Sequence, residues 1–259
     1  MAVTPGKTTI TKGSQNAAIN WHAFSIGKTE AVQFVQPNAS AVALNRVLGP
    51  DPSSILGSLS ANGQVFLVNP NGILFGQSAQ VNVGGLVAST RGITDADFMV
   101  GNYKFSGAGG GTVLNQGTIN ADIGYVALLG ASVSNEGTIS ARLGTVVLAA
   151  GNAMTLDVAG DGLLNLVVNE GAMNALVQNG GLIRADGGNV TLTAQAAGSL
   201  MSVVNNTGVL QAQSIDTRNG TIRLLGDMQS GTVSVGGTLD ASGKGAGQTG
   251  GNVVATAYH

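Results

Sequence analysis

The residues able to do chemistry are few, and they are scattered. Imidazole is the commonest general base near neutral pH and a frequent metal ligand, but the chain holds only two histidines, His22 and His259. They stand near opposite ends of the sequence, and no cysteine could complete a zinc site with them. No Gly-x-Ser-x-Gly elbow occurs, so a Ser-His-Asp triad would have to recruit His22. His22 follows Trp21 in a strand-like run, where alternation sends one of the pair inward; the histidine reads as a surface or rim residue. Carboxylate chemistry needs acids that converge. The nearest pairs are Asp95/Asp97 and Asp157/Asp161. The first lies in Thr94-Asp-Ala-Asp-Phe98, which reads as a turn, and both pairs read as solvated or capping groups.

Glycine and asparagine motifs are no more catalytic. Gly245-Ala-Gly247-Gln-Thr-Gly250 has the spacing of a dinucleotide loop, but no strand-to-helix context surrounds it and no βαβ unit can follow. It reads as a loop. Sequons begin at Asn38, Asn189, Asn205 and Asn219, as expected by chance in a chain so rich in Asn, Ser and Thr. The remaining stretch is Asn69-Pro70-Asn71-Gly72-Ile73, set between the apolar runs Gln64 to Val68 and Ile73 to Phe75. Proline fixes φ and pushes Asn69 into extended backbone, and Asn71-Gly72 offers the positive φ of a tight turn. Its chemistry is that of a corner. No cofactor or metal site is expected anywhere in the sequence.

These residues must be positioned by an unusual chain. Of its 259 residues only 9% are charged, against about 25% in ordinary domains. The formal net charge of -2 implies no nucleic-acid partner. Aromatics are 4%, so the core must be built from Val, Ile, Leu and Ala. A phrase recurs: Asn115-Gln-Gly-Thr-Ile119, Asn135-Glu-Gly-Thr-Ile139, Asn179-Gly-Gly-Leu-Ile183 and Asn206-Thr-Gly-Val-Leu210, with echoes at Gly220 and Gly237. A second follows it, at Gly124-Tyr-Val-Ala-Leu-Leu129, Gly144-Thr-Val-Val-Leu-Ala149, Gly188-Asn-Val-Thr-Leu-Thr193 and Gly251-Asn-Val-Val254. The first two asparagines are 20 residues apart; the next gap, 44, reads as about two such units. Helical periodicity is hard to find; the best window, Asn165 to Gln178, contains Gly171 and is β-branched, which argues against a helix.

Short strands repeating every ~20 residues predict an all-β solenoid, a parallel β-helix. Its inward residues should form ladders of Val, Ile, Leu and Ala, and its corner asparagines should stack and hydrogen-bond to the backbone of the next coil. Most aromatics fall early (Trp21, Phe24, Phe34, Phe66, Phe75, Phe98, Tyr103, Phe105), which suits an N-terminal cap. One domain over 1–259 is expected, with a change of character near Gly107-Ala-Gly-Gly-Gly111: a signature and cap region over 1–110 and more regular coils over 111–259.

Several long stretches occur in fixed order: Ile19-Asn-Trp-His-Ala-Phe-Ser-Ile-Gly27, Val32-Gln-Phe-Val-Gln-Pro37, Ser40-Ala-Val-Ala-Leu-Asn-Arg-Val47, Ala61 through Gly76, and Gly85-Leu-Val-Ala-Ser-Thr90. Together they resemble the N-terminal secretion domain of two-partner secretion exoproteins, the filamentous haemagglutinin-like adhesins of Gram-negative bacteria. The similarity is strong over 15–105 and looser to the end. It implies a right-handed parallel β-helix with an N-terminal cap and extra-helical β segments, and no enzymatic activity. It implies export from the periplasm to the cell surface, guided by a partner outer-membrane transporter of the TpsB type with POTRA domains. It also implies an N-terminal piece of a longer adhesin-type exoprotein of the kind associated with virulence and biofilms, acting as a monomer and meeting host or matrix glycans through its full length. Asn69, Pro70, Asn71, Gly72 and Ile73 match one signature motif of the family, with Asn45 and Arg46 in support from a neighbouring coil. A second signature, Asn-Pro-Asn-Leu, is absent. So is the glycine-rich segment that usually precedes the stretch aligned with Thr4 to Ile10, so an incomplete cap is expected. A carbohydrate-active or glycan-binding β-helix is the alternative.

Overall fold

The computed structural model describes residues 1–107, 109–158, 164–198, 200–243 and 245–259. Its strands are short because each is cut by a Gly or Asn corner, and they stack because each corner returns the chain to the same phase. The chain winds through three parallel sheets in a fixed order. The first runs from Lys7–Thr11 to Thr238–Asp240, the second from Asn16–Trp21 to Asn252–Thr256, and the third from Ser53–Ile55 to Gly231–Val235. Registers fix the coil length. Thr112 pairs with Ser132, Ile119 with Ile139 and Val126 with Val146, so equivalent residues recur every 20 positions here.

The gap of 44 has a different cause from the one expected. Ile139 pairs directly with Ile183 and Asn135 with Asn179, so this span is a single coil. The surplus leaves the solenoid as two antiparallel strands, Ala153–Val158 and Leu164–Glu170. An earlier excursion leaves from the same corner and carries Tyr103–Ser106, which pairs with Ala153–Val158 to complete a three-stranded extra-helical sheet. At the N-terminal end, Ala2–Thr4 folds back antiparallel on Lys7–Thr11, so the first sheet opens with a hairpin.

Two apolar layers result. The inner one fills the solenoid with ladders such as Leu59, Val81, Ile119, Ile139, Ile183 and Leu210, all buried. The outer one lies between the second sheet and the excursions, where Phe66, Val87, Tyr125 and Val147 meet Phe98, Phe105, Met154 and Leu156. This sandwiching makes Tyr125–Gly130 and Thr145–Ala150 buried at every residue, and strands covered on both faces carry continuous apolar runs. It also corrects the cap reading for Phe66, Phe98, Tyr103 and Phe105, whereas Phe24, Phe34 and Phe75 lie in the inner layer. Phe66 packs edge-on against Tyr103 at 4.9 Å between ring centres and against Phe98 at 5.9 Å, in the outer layer.

Two ladders of side chains mark the corners. Asn115 donates to Asn135, Asn135 to Asn179 and Asn179 to Asn206, each through Nδ2–H to Oδ1 at 2.7 Å. The stacking is therefore side chain to side chain, and each Nδ2 also reaches a carbonyl two residues on in its own coil. At another corner Ile123, Leu143 and Gly187 occupy equivalent left-handed positions, at φ 63°, 58° and 70°. For a β-branched isoleucine this conformation is an outlier.

Candidate functional site: the Asn-Pro-Asn-Gly corner

The signature stretch turns the chain from the second sheet to the third. The amide of Gly72 donates to Asn69 O at 3.1 Å, closing a β-turn with Pro70 and Asn71 at its centre. Only Gly72 has a positive φ within it, 123°. Asn71 is not left-handed, which differs from the expectation that Asn71 and Gly72 would share that duty. A turn with Asn first, Pro second and Gly fourth is the type I preference. Asn69 reinforces it: its Oδ1 accepts the Asn71 amide at 3.0 Å, the side-chain mimic of a turn.

Every polar group of Asn69 is spent inside the protein. It is fully buried. Its Nδ2 donates to Asp51 O and Ser53 Oγ in the coil below, both at 3.0 Å. Its backbone amide donates to Ser89 O in the coil above at 3.0 Å. Asn71 anchors downward too, through Nδ2–H to Gly49 O at 2.9 Å. From above, the Gly111 amide donates to Pro70 O at 3.1 Å. A side chain on Gly111 would strike the turn, with its Cβ only 2.3 Å from Gly72 N, so the covering strand must be glycine there. Gly72 and Ile73 are buried; Pro70 and Asn71 are exposed.

The supporting pair does lie in the adjoining coil, where Arg46 is in register with Val68. Asn45 points into the solenoid, accepts from Trp21 Nε1 at 3.0 Å and is fully buried. Arg46 faces the opposite way. It donates to Ile93 O and pairs with Asp95, both at 2.7 Å. It therefore ties the first excursion to the second sheet.

That excursion contains a short helix, Asp95–Met99, where a turn was expected. Thr94 caps it by accepting the Asp97 amide at 3.0 Å. The side chains of Thr94 and then Asn102 hold the Asp97 carboxyl below its ordinary value by hydrogen bonding. Asp95 and Asp97 are thus an ion-pair partner and a capping group. Asp157 sits in the extra-helical sheet, and Asp161 lies outside the described residues. His22 is exposed at the first edge of the second sheet, and His259 follows the strand at its other edge. Gly245 and Gln248 close a loop between strands, through Gln248 N to Gly245 O at 3.0 Å.

One residue was missed in the sequence. Arg91 is the largest fully buried side chain, 1% exposed. Its Nε donates to Gly151 O at 2.9 Å, and its Nη1 to Gly107 O and Gly109 O at 2.7 Å. Burial lowers its pKa and the charge of Glu170 raises it, the first being larger. The available signal was an arginine between the apolar residues Leu86 to Ala88 and Ile93, in a chain with few charges.

The chain is thus a three-sided parallel β-helix with a tightly bonded polar corner and an extra-helical sheet. The TPS secretion domain family matches residues 2–249, and the chain belongs to it. It is a two-partner secretion domain, not an enzyme, and this membership removes the carbohydrate-active alternative. Two heme/hemopexin-binding proteins of Haemophilus influenzae are 37% identical over 249 residues and 39% identical over 235. The matches cover 86% and 85% of this chain but 26% and 25% of those proteins, so the chain spans about a quarter of their length. The crystal structure of the HMW1 secretion domain from Haemophilus influenzae is similar with a TM-score of 0.72 and 27% identity, over 94% of this chain and 81% of that one. The filamentous hemagglutinin secretion domain shares the fold at a TM-score of 0.53 and 17% identity, over 93% and 90% of the two chains.

Proposed function

We propose that this chain directs a longer exoprotein across the outer membrane, and that its transporter reads the corner formed by residues 69–73. The transporter is an outer-membrane barrel of the TpsB type with periplasmic POTRA domains. The observation that carries the reading is the division of labour in the turn. Asn69, Gly72 and Ile73 are buried and spent on holding neighbouring coils, leaving Pro70 and Asn71 as the exposed part. Asn45 and Arg46 support the coil beneath. Residues 1–259 act as one monomeric unit, with the signature in 1–110 and the regular stack in 111–259.

The composition suits the route. A chain without cysteine and with 9% charged residues crosses a pore without disulfides and with little desolvation cost. Coils that dock one on another let folding outside the cell draw the chain outward. The destination is the cell surface or the medium. The two curated relatives are named for heme and hemopexin binding, which favours a haem-capturing cargo downstream over an adhesin shaft. Export settles the reading: the exoprotein is expressed with and without its transporter and assayed by protease shaving of whole cells. Surface exposure that depends on the transporter is expected; equal exposure without it refutes the reading.

A further inference from the structure

Arg91 stands at the one point where both excursions leave and re-enter the solenoid. The first excursion departs just after it and returns through Gly107 and Gly109, whose carbonyls it binds. The second departs at Gly151, which lies 60 residues beyond Arg91 and also accepts from its guanidinium. Gly151 is itself held to the preceding coil by its amide, which donates to Gly130 O at 2.9 Å. No ion pair of Arg91 occurs among the described residues. Three backbone carbonyls bind this buried guanidinium, and the Glu170 charge stabilises it from beyond ion-pair distance, so its place is set by where those carbonyls stand.

The signature turn is bracketed by the same residue from both sides. Ser89, whose carbonyl accepts the Asn69 amide, exchanges hydrogen bonds with the Arg91 backbone through its hydroxyl, each at 2.9 Å. On the other side, Gly109 to Gly111 pass directly over the turn. A Cβ on Gly109 would fall 2.2 Å from Thr90 O and 3.1 Å from Pro70 Cα. Arg91 holds this strip by the carbonyls of Gly107 and Gly109, and the strip ends in the Gly111 amide bound to Pro70.

We infer that Arg91 is a positioning residue that couples the second excursion to the signature turn, so that the turn takes its covered form only when the second excursion is docked. In a chain emerging from its N-terminal end, the turn is made early and covered late. The guanidinium lacks its third carbonyl until Gly151 arrives, and the strip over Pro70 stays loosely held until then. This coupling does not depend on what reads the corner.

Amide hydrogen exchange in the intact chain tests it. Arg91→Met is expected to speed exchange at Gly111 and Gly72 by about tenfold or more, since the bonds lost involve a charged donor. The Val209 and Thr221 amides, far along the stack, should keep their protection. Gly151→Ala perturbs the other end of the coupling, because its Cβ would lie 2.6 Å from Val168 Cγ1. It should speed exchange at Gly111 when Arg91 is present and add nothing in the Arg91→Met background. Unchanged protection of Gly111 in both single variants overturns the inference, as does full additivity. If Arg91→Met does not fold, Arg91→Lys replaces it, and Gly151→Ala decides alone through Gly111.

Discussion

The asparagine ladder makes a prediction whose size follows from position. Asn135 lies inside the ladder and is fully buried. Asn135→Ala removes an acceptor for Asn115 Nδ2 and a donor to Asn179 Oδ1, both at 2.7 Å, and a weaker bond to Gly137 O at 3.3 Å. Two buried amide groups lose partners, at about 1–3 kcal/mol each, and a small void is added. The expected cost is about 3–6 kcal/mol, a large share of the ~5–15 kcal/mol of a typical domain. Asn206 ends the ladder, because Val235 stands above it. Asn206→Ala strands only Asn179 Nδ2 and Gly208 O, so about half the cost is expected. The opposite end shows the same logic. Asn115 has Phe75 beneath it instead of an amide, and its Oδ1 accepts the Gly117 amide of its own coil at 3.2 Å. Urea unfolding monitored by circular dichroism gives both costs. Equal costs, or a cost at Asn135 below ~1 kcal/mol, would show that the ladder decorates the stack and does not hold it.

Further outcomes follow from local geometry. Ile123→Asn relieves a left-handed isoleucine at φ 63° that is 72% exposed, and should stabilise by about 0.5–1 kcal/mol, raising Tm by a few degrees in a melting scan. Gly187→Ala should do the reverse, since its φ is 70° and its Cβ would meet Leu143 Cδ2 at 2.6 Å. Tyr125, wholly buried with its hydroxyl donating to Gln64 Oε1 at 2.6 Å, is held well above its ordinary value of 10.0 by burial and then by the charge of Tyr103. Its contribution is complete below pH ~10 and lost as pH rises toward the raised value, so stability measured against pH should fall on the alkaline side; Tyr125→Phe should flatten that fall. The Arg46–Asp95 pair has the carboxylate 61% exposed, so Asp95→Asn should cost under about 1 kcal/mol. Arg46→Met should cost more, because Ile93 O also loses its donor, and the double variant in urea unfolding separates the two.

The repeat was legible because each coil spends an Asn and a Gly at a fixed phase, and stacking demands the same residue again at that phase. Asn115, Asn135, Asn179 and Asn206 could be aligned by eye, and the structure joins them amide to amide. The excursions were illegible because insertion leaves that phase intact: Asn135 and Asn179 remain neighbours whatever is looped out between them. A trace was present in Tyr125–Gly130 and Thr145–Ala150, whose unbroken apolar runs require a cover on both faces. The early aromatics suggested a cap because solenoid ends need one. Phe66, Phe98, Tyr103 and Phe105 serve the second layer instead, while Phe24, Phe34 and Phe75 are buried inside the solenoid among Val, Ile and Leu. At the corner, residue types gave the turn and its lack of catalytic groups. Which of its members face solvent depends on the coils above and below it, which no local pattern encodes.

Export of corner variants tests the central claim most directly. Pro70→Ala and Asn71→Ala each change an exposed residue, and circular dichroism with urea unfolding establishes which variants keep the β-helix fold. Each is then placed in the exoprotein and expressed with its outer-membrane transporter, and the surface fraction is measured by protease shaving. The account predicts a folded Pro70→Ala or Asn71→Ala chain that accumulates in the periplasm. Normal surface delivery of both folded variants would contradict it.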